Sequence, residues 1–417
     1  MSFMKKIFNF HKNPQSFIQN ILWGSLIAIF FSAFIYLEEY GYTFKILNTF
    51  FGLASLILLI YSPKKVILLA GFFIGLLWFY WIGYSFEYQG VGFMTPIITI
   101  AFGFIYLLFF GVLALTQKIY IRAILLFGLS FLEPFDWNWL QIELLFIESY
   151  IGIFKYQLAL VLAAITLPFY LQNFNKYLMY SPLLLIVLAL NYSSPPQERT
   201  HLKIKLVQTS IKQEDKWLDK TLLPTLKTIR REIDSAVKDG YDIVVLPESV
   251  FPFFMNRNKI LLKGVLELSH DIAIVAGSLI HENGNSYNVT YIMQNGEYQI
   301  AKKLVLVPFG EYVPLPKFAQ DFINDTFFSG QSDFLTADAP TDFTIKGETF
   351  RNAICYEATC QEIYEGDVKF VIATSNNAWF APSIEPTLQN LLMRYYARKN
   401  GVTIYHSANY KGTGIIQ

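Results

Sequence analysis

The feature that most constrains this chain is a run of apolar stretches filling its first 200 residues, each near the roughly 20 residues a helix needs to cross a bilayer core. Seven are read, over residues 20–37, 45–62, 66–86, 92–116, 119–135, 157–172 and 177–192. The fifth and the last two are short, and residues 143–156 suit a re-entrant or interfacial segment, so the count is seven, plus or minus one. Cytoplasmic loops are enriched in Lys and Arg. Lys5, Lys6 and Lys12 precede the first span, Lys64 and Lys65 lie between the second and third, Lys118 and Arg122 at the turn from the fourth into the fifth, and Lys176 before the seventh. The opposite loops carry Glu38, Glu39, Glu87, Glu133 and Asp136, with Lys45 and Lys155 as exceptions. This pattern predicts an amino terminus inside and, after an odd number of spans, residues 200–417 outside. In a bacterium that is the periplasmic face of the inner membrane. No small-residue cleavage site follows the first apolar run, so it reads as a retained anchor.

The second half has a different composition. Charged residues make up 16% of the chain, against roughly a quarter in an ordinary soluble domain, and 46 of the 65 fall after position 200. The net charge of +1 hides no basic stripe in either half, which argues against nucleic acid as a partner. Ser193-Ser194-Pro195-Pro196-Gln197 breaks the last span, placing a membrane domain over 1–192, a linker over 193–200 and a second domain over 201–417. In that domain, residues 203–208, 243–246, 272–276, 288–293, 350–354 and 370–374 read as strands. Helices are expected over 219–238, 259–269 and 387–399, the last closed by Gly401. The fold class is a multi-pass α-helical membrane domain followed by an α/β domain.

Three residues stand where chemistry is concentrated in such folds. Cys355 ends the apolar strand Asn352-Ala353-Ile354 ahead of an expected helix, whose N–H groups and dipole would favour a thiolate. Its bland alternative is an inert buried thiol. Glu248 follows the apolar run Val244-Val245-Leu246-Pro247, at the carboxyl end of a buried strand, where a raised pKa would suit a general base. A helix cap or a surface acid is the competing reading. Lys303 precedes Leu304-Val305-Leu306-Val307 and Glu311, and near a thiolate it could stabilise an oxyanion. A solvated lysine beside Lys302 is its ordinary explanation. Cys360 reads as core. The two cysteines form no disulfide framework, and a metal site at the pair is not expected because the chain's five His lie elsewhere.

Together, Leu246-Pro247-Glu248-Ser249, Lys303 eight residues before Glu311, and Ile354-Cys355-Tyr356-Glu357 resemble the Glu, Lys and Cys triad of the carbon–nitrogen hydrolase, or nitrilase, superfamily. The segment from Lys303 through Phe309-Gly310-Glu311-Tyr312-Val313-Pro314 narrows the resemblance to the apolipoprotein N-acyltransferase family, its membrane branch. Val207-Gln208 with Lys216-Trp217, Tyr287-Asn288, Ser375-Asn376-Asn377-Ala378-Trp379-Phe380 and Ser407-Ala408-Asn409 fit in order and spacing, and 78–88 resembles that family's third-helix exit. Leu246, Asn377 and Ala381 depart from its usual Trp, Asp and Gly. The chain stops at Ile415-Ile416-Gln417, where that family continues through further strands and often a last membrane helix. A natural short ending and a truncation are both open, as is a sandwich lacking its last strands.

The resemblance implies a nitrilase-like α-β-β-α sandwich with Cys355 as nucleophile, Glu248 as general base and Lys303 as oxyanion stabiliser. It implies transfer of an acyl chain from a membrane phospholipid, through a Cys355 thioester, to the amine of a diacylglyceryl apolipoprotein, with no cofactor. Glu311, Glu357 and Tyr356 would support the triad, and Trp217, Asn288 and Trp379 would line the pocket. Phe253 and Phe254, with Phe318, Phe322, Phe327 and Phe328, are expected to form a greasy lid accepting acyl chains and excluding water from the thioester. Ordinary core packing is the alternative for all six. Two rival functions are weighed: a membrane-tethered amidase or nitrilase acting on small amides, and a non-catalytic membrane receptor. Seven apolar spans speak against the first, and a complete triad against the second.

Overall fold

The computed structural model describes residues 16–88, 90–192, 194–308, 310–312 and 334–417. Lys5, Lys6 and Lys12, and the lid candidates Phe318, Phe322, Phe327 and Phe328, lie outside the described residues. Two compact units emerge: one holds the apolar helices, the other comprises Tyr88–Val91, Phe135–Trp139 and Pro195–Gln417. Two short stretches of the first half thus belong to the second unit, which the sequence reading did not expect.

The first unit contains α1 (Phe17–Glu39), α2 (Lys45–Tyr61), α3 (Lys64–Phe79), α4 (Thr95–Gly111), α5 (Ile119–Leu129) and α6 (Lys155–Leu171). Ser16 caps α1, accepting from the Gln19 N–H at 3.2 Å. Gly71 and Gly75 let α3 approach α4 closely, since a Cβ at either would sit 2.5 or 2.4 Å from a carbonyl oxygen of Tyr106 or Phe102. Among the described residues, three stretches, Phe17–Glu39, Lys64–Phe86 and Gly92–Leu115, are long and apolar enough to cross a membrane; the other four apolar helices are shorter. The expected fifth span stops at Leu129, and 11 helical residues rise only ~16 Å. Residues Ile142–Phe146 form a buried 3-10 turn. Its Glu143 pairs with Lys155 at 2.7 Å, which gives that lysine, an exception to the loop-charge pattern, a partner inside the unit.

The second unit is built on two five-stranded sheets. β1 (Ile204–Leu206), β2 (Ile243–Val245), β3 (Ala273–Glu282), β4 (Asn285–Gln294) and β5 (Glu297–Lys302) stand in sequence order, parallel to β3 and antiparallel beyond. The other sheet runs β10 (Gly414–Ile416), β9 (Thr403–Asn409), β8 (Phe370–Asn376), β7 (Glu348–Ile354) and β6 (Asp342–Ile345), with β7, β8 and β9 parallel. Ile243, Val245, Val275 and Ile292 of the first sheet meet Phe343, Phe350, Ile372 and Tyr405 of the second in one core. The first sheet's other face packs Val244, Ile274 and Tyr291 against Ile229 and Ile233 of α7 (Asp219–Lys238) and Val265 of α8 (Lys259–Leu268). Helix α9 (Glu385–Asn400) lies against the second sheet and ends at Gly401, whose φ of 70° suits a left-handed C-cap. The layers are therefore α-β-β-α. Strands β5, β6, β9 and β10 were not singled out in the sequence.

Candidate active site

The site is assembled where strands end. Glu248 follows β2 on a turn in which Ser249 has a φ of 46°. A Cβ on Gly277 of the neighbouring β3 would fall 2.4 Å from the Ser249 nitrogen and 2.6 Å from the Glu248 Cα, so only glycine admits this turn. Asn288 of β4 donates from Nδ2 to Glu248 Oε1 at 2.7 Å, which aims the carboxylate. Asn288 is thus a support for the acid as well as a buried polar group at the site.

Lys303 lies just beyond β5 with its side chain only 1% exposed. Its Nζ meets Glu311 Oε2 at 2.7 Å, and that same oxygen accepts from the Val307 N–H at 2.9 Å. Burial opposes the ammonium, but Glu311, Glu248 and Cys355 together hold its pKa above the ordinary lysine value. Glu357 joins the two loops that carry Lys303 and Cys355. It accepts from the N–H groups of Leu304 at 2.6 Å, Val305 at 3.1 Å and Ile354 at 2.6 Å. Burial pushes its carboxyl up to about 7, against the pull of Lys303 and these three donors.

Cys355 leaves β7 with a φ of 56°, a left-handed conformation that a non-glycine residue adopts at a cost of roughly 1–3 kcal/mol. The expected helix after it is a five-residue 3-10 turn, Cys355–Thr359. The thiolate expectation is corrected here: burial raises the thiol pKa well above its usual value, Glu248 adds to the rise, and Lys303 only opposes it. The resting sulfur is a thiol, and its proton needs a base. Cys360 is buried and donates from Sγ to the Tyr356 carbonyl at 3.5 Å. No cluster of His, Cys, Asp and Glu suited to a metal occurs among the described residues.

Several residues around the sulfur escaped the sequence reading as site residues. Lys216 is buried and donates to the Glu248 carbonyl at 3.0 Å. Burial lowers its pKa to about 8, against the pull of Glu248 and Cys355. Two obligate donors, Lys216 Nζ and Trp379 Nε1, face one end of the Asn376 amide at 3.0 and 3.2 Å, which fixes that end as oxygen. Gln389 on α9 donates toward Cys355 Sγ at 3.8 Å, and its Oε1 accepts from Asn377 Nδ2 at 3.1 Å. Asn377, a departure from the expected Asp, thereby orients Gln389. Glu385, one turn earlier on α9, is buried as well. The Lys216-Trp217 pair was visible as a motif; Glu385 and Gln389 carried no signal beyond membership of a helix. An open groove of about 550 Å³ between α7 and α8 contains none of these residues.

Two family models match the chain: the apolipoprotein N-acyltransferase integral membrane domain over residues 18–192 and the carbon-nitrogen hydrolase over 203–412. An apolipoprotein N-acyltransferase of Wolinella succinogenes is 37% identical, the match covering 93% of this chain and 94% of the relative. That of Campylobacter jejuni is 34% identical over 97% and 91%. The chain belongs to the apolipoprotein N-acyltransferase family. Among solved structures, it resembles a carbon–nitrogen hydrolase superfamily protein of Xanthomonas campestris, at 16% identity and a TM-score of 0.39 over 51% of this chain and 77% of that one.

In this member of the apolipoprotein N-acyltransferase family the remaining expected residues divide. Tyr356 is buried, stacked on Trp137 at 5.5 Å between ring centroids, and donates to the Asp136 carbonyl at 3.0 Å. Trp139 donates to Thr359 Oγ1 at 2.8 Å. Residues Phe135–Trp139 therefore brace the turn after Cys355. Trp379 contacts Tyr88 edge-on at 5.8 Å, whereas Trp217 is 49% exposed. Of the lid candidates, Phe253 packs on the core beneath α7 and α8, and Phe254 lies against His281 and Arg257. Both rings are partly buried because Ser278 Oγ, donating to the carbonyls of Phe251 and Phe253 at 3.1 and 2.9 Å, ties their loop to β3.

Proposed function

We propose that this protein transfers an acyl chain from a membrane phospholipid to the N-terminal amine of a diacylglyceryl-cysteine lipoprotein, through a thioester on Cys355. The observation that carries the reading is the convergence of Glu248 and Lys303 on Cys355, both near enough to act on the charge of its sulfur. Glu248 takes the Sγ proton as sulfur attacks the ester carbonyl, because a thiol held protonated by burial is a poor nucleophile until a base removes its proton. The oxyanion that develops is stabilised by Lys303, which Glu311 keeps charged and fixed in place. Collapse breaks the C–O bond, and Glu248 hands its proton to the departing lysophospholipid oxygen. The acceptor amine then attacks the thioester. Its proton passes by way of Glu248 to sulfur, leaving an amide and a free thiol.

The charge pattern of the loops supports an amino terminus in the cytoplasm and a catalytic unit on the periplasmic face, where both lipid substrates lie.

The test is incubation of the detergent-purified protein with phospholipid carrying a labelled acyl chain. Label bound to the wild type, released by hydroxylamine and missing from Cys355→Ala, is expected, followed by passage of label to a diacylated lipopeptide. Release of ammonia from small amides with no uptake of label would instead identify an amidase and sink the proposal.

A further inference from the structure

Glu385 is the first residue of α9 and only 1% exposed, and its Oε2 has no hydrogen-bond partner among the described residues. An acid at a helix start ordinarily faces water, where the dipole favours its charge. This one is turned inward. Four positions on, and so on the same face of the helix, Gln389 reaches Cys355 Sγ at 3.8 Å. Glu385 is also close enough to Cys355 and Glu248 to act on both electrostatically. A buried polar atom left unmatched beside a nucleophile has the form of half a contact whose other half is a ligand.

We propose that Glu385 binds the primary amine of a substrate at this site, taking an N–H hydrogen bond on its open oxygen and turning the nitrogen lone pair toward the Cys355 thioester. This rests on the acyl-transfer reading above. Of the groups that reading brings to the sulfur, an ester offers only acceptors, whereas an amine offers N–H donors to match Oε2. Burial and the neighbouring Glu248 push the Glu385 carboxyl above its ordinary range, and an arriving N–H donor favours the form that accepts at Oε2. The amine reacts uncharged. An ammonium first loses one proton to solvent, then the N–C bond forms, the C–S bond breaks, and the nitrogen's departing proton passes through Glu248 to sulfur. Glu385 positions the amine and takes no proton in this sequence. Two sources share this chemistry, the acceptor's α-amine and the ammonium of an ethanolamine headgroup.

The test compares wild type with the isosteric Glu385→Gln, loading Cys355 from labelled phosphatidylglycerol or phosphatidylethanolamine and discharging it with a diacylated lipopeptide or with hydroxylamine, which is small and uncharged at neutral pH. The expected result is loading from both donors within threefold of wild type, unchanged discharge by hydroxylamine, and discharge by lipopeptide slowed at least tenfold with a raised KM. Slowed loading from phosphatidylethanolamine alone would also support an amine site and assign it to the headgroup. Equal loss in every arm, or no loss in either amine-bearing arm, would overturn the proposal. Should the variant not fold, competition on the wild type decides: a short primary alkylamine should slow lipopeptide discharge and its quaternary counterpart should not, and equal effects would overturn the assignment. A wild type that never takes up label refutes the acyltransferase reading itself, before any variant is compared.

Discussion

At the residue scale, the site depends on buried charges that compensate one another. Lys303 is tied to Glu311, Glu357 is held by three backbone donors, and Lys216 bridges the Glu248 carbonyl and Asn376. Breaking a buried pair on one side leaves the other charge uncompensated, which costs more than the pair itself contributes. Lys216 gives this a pH dependence. Its pKa is lowered from 10.5 to about 8, so it is an ammonium below about pH 8 and neutral above. Thioester formation should therefore decline as pH rises through 8, by about tenfold if the lost interaction with Glu248 equals one pK unit. Lys216→Met should be slow at every pH and lack that decline; a wild-type profile flat from pH 7 to 9.5 would refute the role. Gly277 offers a second test. Gly277→Ala would press its Cβ into the Glu248 turn, and we expect label uptake to fall by at least two orders of magnitude, the turn having no slack for a methyl. Full activity in that variant would show that the position of the turn is immaterial.

At the scale of elements, strand ends place the chemistry and a second line of polar residues fixes the strands. His406 on β9 is buried between Ser375 Oγ, 2.8 Å from Nε2, and the Gly412 carbonyl, 2.9 Å from Nδ1. A carbonyl only accepts, so Nδ1 carries the hydrogen and Nε2 accepts from the serine. Burial lowers the His406 pKa from 6.5 to about 4, which means the folded domain keeps it neutral where the unfolded chain already binds a proton. Stability is then complete above about pH 6.5 and is lost as pH falls toward 4, by an amount on the order of 3 kcal/mol. Thermal unfolding in detergent at pH 7 and pH 5 measures the slope, and His406→Gln, which cannot titrate, should flatten it. An unchanged slope in that variant would assign the acid sensitivity to other groups.

At the scale of the whole molecule, the chain joins an apolar helical unit to an α-β-β-α unit, and the second draws Tyr88–Val91 and Phe135–Trp139 out of the first half of the sequence. With the proposed orientation, protease added outside intact spheroplasts should cut the second unit, while an epitope at the amino terminus stays protected until lysis. The reverse pattern would overturn the assignment of sides. Much of this was legible in the sequence. The apolar stretches, the Pro195-Pro196 break, and the helices over 219–238 and 259–269 follow from local composition and periodicity, which a chain displays without folding. Glu248, Lys303 and Cys355 were legible through motif resemblance, each sitting at an element end with its neighbours in sequence. The aromatic residues behind Cys355 were not, because Trp137 reaches Tyr356 across more than 200 positions. Nor was the state of the sulfur. A strand-to-helix turn suggested a thiolate, but desolvation and neighbouring carboxylates from other segments decide for the thiol. The sequence by itself determined the division into an apolar half and an α/β half and named the three groups that meet, since hydrophobic runs and motif spacing are local properties. Only the tertiary structure decided which charges share a low-dielectric site, and hence that Lys216, Glu385 and Gln389 belong there, because burial and electrostatic neighbourhood exist only once distant segments pack together.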